Sequence, residues 1–170
     1  DNIKTLVDLG AKFLKLDLVT DMNGDVTVGT KDGPLMIEVL DVIDEYIKKE
    51  GRSPVGFNFE INTAAGDEEG KSVPYYHAHA DFVMMDLWGR YMGDRLMITG
   101  SDYRSLNHLN EKYPEVDLAF KVAQGTEDAE KAMKRLKFTP KWISFHYTDI
   151  NEDIVKKYHD KGMYVSAWGI

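Results

Sequence analysis

The sequence predicts an α/β chain built on a parallel, barrel-like sheet. Strand-like and helix-like segments alternate from one end to the other, and the helical stretches have the length of roughly 10–15 residues that a crossover between parallel strands needs. With 170 residues, 43% of them hydrophobic, the chain can bury one sizeable core and reads as a single domain over 1–170.

Ile3, Leu6, Val7 and Leu9 recur at helical spacing and stop at Gly10, so a helix opens the chain. Lys12 to Thr20 alternates at period two, a strand with Lys15 and Asp17 on one face. Asn23-Gly24 marks a turn before a short strand at Val26 to Val28. From Met36 to Lys49 the apolar positions Ile37, Leu40, Ile43, Tyr46 and Ile47 define an amphipathic helix closed by Gly51. Val55 to Asn62 is an apolar strand, 63–72 a Gly/Asp/Glu loop, and Asp81 to Tyr91 a helix. Strands then follow at Arg95 to Ile98, Leu118 to Val122, Trp142 to Tyr147 and Met163 to Trp168, with helices at Tyr103 to Lys112, Asp128 to Leu136 and Asn151 to Lys161. These make seven strands, one βα step short of an eightfold TIM-type (β/α) barrel, in a chain shorter than the roughly 200 residues at which such barrels begin. The alternative is an open doubly wound sheet, but no glycine-rich phosphate loop follows any strand.

Composition excludes several classes of function. The absence of cysteine rules out disulfides, thiolate metal sites and a cysteine nucleophile, and leaves cytoplasm and periplasm equally open. A net charge of −8 opposes the phosphate contacts on which nucleic-acid affinity depends. No apolar run approaches the length of a membrane span, so a soluble chain is expected; a signal peptide removed ahead of Asp1 would leave no trace here.

Several stretches carry a resemblance. Gly10-Ala11-Lys12-Phe13-Leu14-Lys15-Leu16-Asp17 resembles a Gly-Ala-Asp-x-x-Glu-Leu-Asp strand, and Gly56 to Asn62 resembles one ending in Glu-Ile-Lys. Asp94 to Ile98, Ser101 to Leu106 and Tyr113 to Ala119 form the longest match; Pro34 to Asp41 and Lys161 to Trp168 add two more, all in one order. Together they resemble the glycerophosphodiester phosphodiesterase family. The resemblance implies a barrel fold and metal-dependent hydrolysis of glycerophosphodiesters in glycerophospholipid metabolism. It also implies a Mg²⁺ or Ca²⁺ held by three carboxylates, with two histidines as acid and base. Nothing here matches the His-Arg-Gly strand with which those barrels open, and Val28 reaches Pro34 without the family's insertion.

Carried over residue by residue, the family pattern places Asp17 and Glu60 on two of the metal carboxylates and Lys15 on the third. An ammonium there repels a cation and can pair with Asp17 or Glu60 in its stead. Thr30 stands at the position of one histidine, and the other belonged to the strand that is not matched. Asn62 replaces the lysine of Glu-Ile-Lys; with Lys121 and Trp168 it completes the expected substrate-binding set. His146, at a strand end, is a candidate replacement acid or base, with a structural role as the alternative.

Elsewhere, His77, His79 and Asp81 would make a metal site only if the segment were extended. Lys15 or Lys121, if desolvated, would suit Schiff-base chemistry, and Met84, Met85, Leu87 and Trp88 read as core packing. Two functions follow: a glycerophosphodiester phosphodiesterase homologue of weak or lost activity acting on a small-molecule phosphodiester, or a non-catalytic scaffold or binding domain, natural or engineered. An open seam between the strands beginning at Lys12 and Met163 would wet Phe13, Leu14, Val165 and Trp168 and favour a homo-oligomer.

Overall fold

The computed structural model describes residues 2–61, 75–88, 90, 93–125 and 129–169. The chain runs α1 (Asn2–Asp8), β1 (Phe13–Thr20), β2 (Val26–Val28), α2 (Met36–Lys49), β3 (Gly56–Ile61), α3 (Tyr76–Leu87), β4 (Leu96–Gly100), α4 (Tyr103–Lys112), β5 (Asp117–Lys121), α5 (Ala129–Met133), β6 (Trp142–His146), α6 (Glu152–His159) and β7 (Tyr164–Trp168). All seven strands form one sheet in the order β2-β1-β3-β4-β5-β6-β7. The sheet is curled but not closed, as an incomplete barrel should be: Lys15 of β1 and Ser166 of β7 line the same cavity although β7 ends the sheet.

Six strands run parallel, but β2 pairs antiparallel with β1 through Leu18↔Val28, Val19↔Thr27 and Thr20↔Val26. The expected parallel sheet is present apart from this one strand, which departs from it for a reason of length. Only residues 21–25 connect the two strands, and a parallel crossover needs a dozen or more. Asp21 closes that hairpin, its Oδ1 accepting from the backbone N–H groups of Asn23 at 2.8 Å and Asp25 at 2.9 Å, while Gly24 takes φ +93°.

The core lies between the convex face of the sheet and the helices. Leu14, Leu16 and Leu18 of β1 and Phe57, Phe59 and Ile61 of β3 point outward into it, against Leu40, Ile43 and Ile47 of α2 and Val83 and Met84 of α3. Alternation then sends Lys15, Asp17, Asn58 and Glu60 to the concave face, where register pairs Lys15 with Asn58 and Asp17 with Glu60. Helix α1 docks on α2, where Tyr46 donates to Asp8 Oδ2 at 2.7 Å, and so does not cover the seam.

Three expectations about segments need correction. Helix α3 begins at Tyr76 rather than Asp81, since Ala78 and Ala80 favour helix. Met84 and Leu87 are core, but Met85 and Trp88 are 66% and 81% exposed, because positions one apart on a helix face different ways. Leu14 is buried, and β2 pairs only with residues 18–20 of β1, so β7 and the lower part of β1 are the strands left open at the seam, with Phe13 the exposed residue of the β1 pair. No helix among the described residues is long and apolar enough to cross a membrane.

Candidate functional site

The C-terminal ends of the strands carry a compact charged network. Glu60, 2% exposed near the end of β3, lies between two ammonium groups. Lys121, at the end of β5, donates to its Oε1, and Lys15 of β1 makes an ion pair with its Oε2. Lys15 Nζ also stands 3.6 Å from Asp17 Oδ1, so two carboxylates and two ammoniums balance. Burial pushes the Glu60 carboxyl up; the hydrogen bonds and charges of Lys121 and Lys15 outweigh it and hold the carboxyl below its usual value. The Lys121 ammonium sits 4.6 Å from the centre of the Trp168 ring, whose Nε1 donates to the Val122 carbonyl at 3.2 Å.

Asp17, Glu60, Lys15, Lys121 and Trp168 are therefore gathered in one place, the face of a parallel barrel where active sites lie. The Lys15 ammonium occupies the space between Asp17 and Glu60, so the donor set does not suit a divalent cation. Among the described residues no group of three or more His, Cys, Asp or Glu side chains is disposed to hold a metal. Both lysines are engaged with the Glu60 carboxylate, so neither is the free amine that Schiff-base chemistry needs.

The other candidates lie at or beyond the rim. Thr30 follows β2 beside the mouth, where Gly29 N–H donates to the Asp17 carbonyl at 2.8 Å; a threonine hydroxyl cannot act as an acid or base near neutral pH. His146 is tied by Nδ1 to Thr148 Oγ1 at 2.7 Å and packs edge-on against Trp168. Asn62 lies outside the described residues. His77 and His79 diverge on α3: His79 is fully buried, while Asp81 pairs with His108 and Lys112. A helix sends alternate residues to different sides, so they form no metal site.

Below the network the concave face encloses a cavity of about 300 Å³, lined by Lys15, Asn58, Thr99, Trp142, Ser144 and Ser166 among others. Sequence reasoning missed Asn58, Thr99, Trp142, Ser144 and Ser166 as site residues. The available signal was polarity at alternate positions of strands, where a barrel interior is normally filled by branched apolar side chains.

An incompletely closed parallel α/β barrel with a charged cluster at the C-terminal strand ends is the class that fold and site define. Solved structures narrow it. The chain superposes on a protein from Silicibacter pomeroyi DSS-3 assigned as a glycerophosphoryl diester phosphodiesterase, with TM-score 0.75, 13% identity, and coverage of 99% of this chain and 76% of that one. A phosphodiesterase from Oleispira antarctica, solved in complex with the product sn-glycerol 3-phosphate, matches with TM-score 0.74, 13% identity and the same coverage. A glycerophosphodiester phosphodiesterase from Parabacteroides distasonis matches with TM-score 0.69, 13% identity, and coverage of 99% and 75%. No protein-family model and no curated protein matches the sequence. The chain has the glycerophosphodiester phosphodiesterase fold.

Proposed function

We propose that the chain is a glycerophosphodiester phosphodiesterase homologue in which metal-dependent hydrolysis is weak or lost. The observation that carries this reading is the clamp of Lys15 and Lys121 on the buried Glu60 carboxylate. Hydrolysis of a phosphodiester needs a cation on the phosphoryl oxygens, a base for the attacking water and an acid for the leaving alkoxide. A site that balances its carboxylates with lysines offers little to Mg²⁺ or Ca²⁺, and the expected histidine position is Thr30. Loss of an acid–base group alone removes roughly 10²–10⁴-fold in rate. Purified protein incubated with glycerophosphocholine and Mg²⁺ or Ca²⁺ should release no sn-glycerol 3-phosphate above background. Robust metal-dependent release would refute the reading.

Lys15→Glu tests the same point from the other side. Unsubstituted protein should melt at the same temperature with and without millimolar Ca²⁺, whereas the variant should gain roughly 5 °C from the cation, as a ligand near 100 times its Kd would give. A shift in the unsubstituted protein would mean that the lysines yield to metal.

A further inference from the structure

We propose that the concave cavity is a binding site for a neutral monosaccharide. It lies in a molecule whose fold neighbours are phosphodiesterases, but the binding does not depend on whether any hydrolysis survives. The volume of about 300 Å³ is at the lower end of the range of ligand pockets, suited to one sugar ring rather than to a longer chain.

Its lining has the chemistry of polyol recognition. Ser144 of β6 and Ser166 of β7 are register partners, so their hydroxyls stand side by side on the concave face. Neither hydroxyl has a hydrogen-bond partner among the described residues, although Ser144 is only 7% exposed. Each can donate and accept, as a sugar hydroxyl does. Across the cavity the Thr99 hydroxyl bonds to Asn58 Oδ1 at 2.7 Å, which leaves the other arm of the amide free to donate.

Aromatic surface flanks this polar centre. Trp142 precedes Ser144 by two residues and Trp168 follows Ser166 by two, so an indole borders the serine pair on each side along the strands. Trp168 already carries Lys121 and His146 against its ring, and Trp142 packs on Tyr164. Trp142 therefore offers its remaining face to the C–H face of a sugar ring while the hydroxyls take its edge, and Trp168 walls the site. The ligand is neutral because the nearby charges are already spent: Lys15 and Lys121 are matched by Asp17 and Glu60. An anion would gain little from ammonium groups so engaged.

Calorimetry and tryptophan emission on the intact chain, with D-glucose and D-galactose as probes and inorganic phosphate and sn-glycerol 3-phosphate as comparators, decide the matter. The expected result is a saturable response to at least one sugar that is insensitive to added salt. Ser144→Ala and Ser166→Ala, small changes beside open space, should each weaken binding about two- to tenfold without altering the melting temperature. If either variant melts early, Ser144→Thr and Ser166→Thr, which keep the hydroxyl and fill the cavity, should weaken binding through the lost space. No saturable response to either sugar overturns the proposal. So does a response confined to phosphate or glycerol phosphate, which would assign the cavity to the phosphodiester, and so does sugar binding unchanged in both alanine variants.

Discussion

At the scale of single residues, Glu60 and His79 both make the fold less stable in acid, Glu60 through its partners and His79 through its burial. Glu60 is stabilised by partners: its contribution is complete above its ordinary value of 4.5 and is lost as pH falls through the lower value it has in the folded chain. Glu60→Gln should destabilise the fold by about 2–3 kcal/mol at pH 7, since Lys15 and Lys121 are only partly exposed and would lose their partner, and should flatten the stability profile below pH about 4.5. Chemical denaturation across pH measures both. His79 is buried with neither ring nitrogen bonded, and desolvation lowers its pKa from 6.5 to about 4. Between those values the unfolded chain binds more protons, so stability should decline as pH falls, by roughly 3 kcal/mol across the window. His79→Leu should remove that decline and raise stability at pH 7 by about 1–3 kcal/mol, because two orphaned polar atoms leave the core. Identical slopes for the two proteins between pH 6.5 and 4 would contradict this account.

At the scale of elements, caps and turns set where each segment ends. Asn151 opens α6 by accepting from Ile154 N–H at 2.9 Å, and Asn151→Ala should cost about 1 kcal/mol, read as a shift in denaturation midpoint without a change in slope. Gly24 holds φ +93°, and a Cβ there would stand 2.7 Å from the Phe82 ring, so Gly24→Ala strains the backbone of the hairpin and pushes on α3 at once. Two of the helices, α2 and α4, were legible from the sequence because their signals are local. Met36–Lys49 and Tyr103–Lys112 match the apolar periodicity to the residue, and Asp102 caps the second by accepting from Arg104 N–H at 2.9 Å. Helix α3 was misplaced at its start because its hydrophobic stripe is weak there and a buried histidine, not an apolar residue, supplies part of its inner face.

The whole molecule is a curled, unclosed sheet with β2 at one edge and β7 at the other. β7 ends the sheet with its outer backbone groups unpaired by another strand, and Tyr164 is 52% exposed. An edge strand can pair antiparallel with its own copy across a twofold axis, which requires no other partner. Association of two copies through β7 is therefore the expected state at high concentration. Sedimentation should show mass rising through the micromolar range, with a melting temperature that rises alongside; a compact monomer at high micromolar concentration, melting at a constant temperature, would end this expectation.

By itself the sequence determined the order of elements, the shared face of Lys15 and Asp17, and the replacement of a carboxylate by Lys15, since all of these are local in the chain. Even the antiparallel β2 was implicit in the five-residue connection before it. Only the tertiary structure decided which charges meet: Lys121 reaches Glu60 from 61 residues away. It likewise decided that Ser144 and Ser166 share a cavity with Asn58 and Thr99. The physical reason is that periodicity assigns a side chain to a face, whereas the strand order and the curl of the sheet determine what stands opposite it.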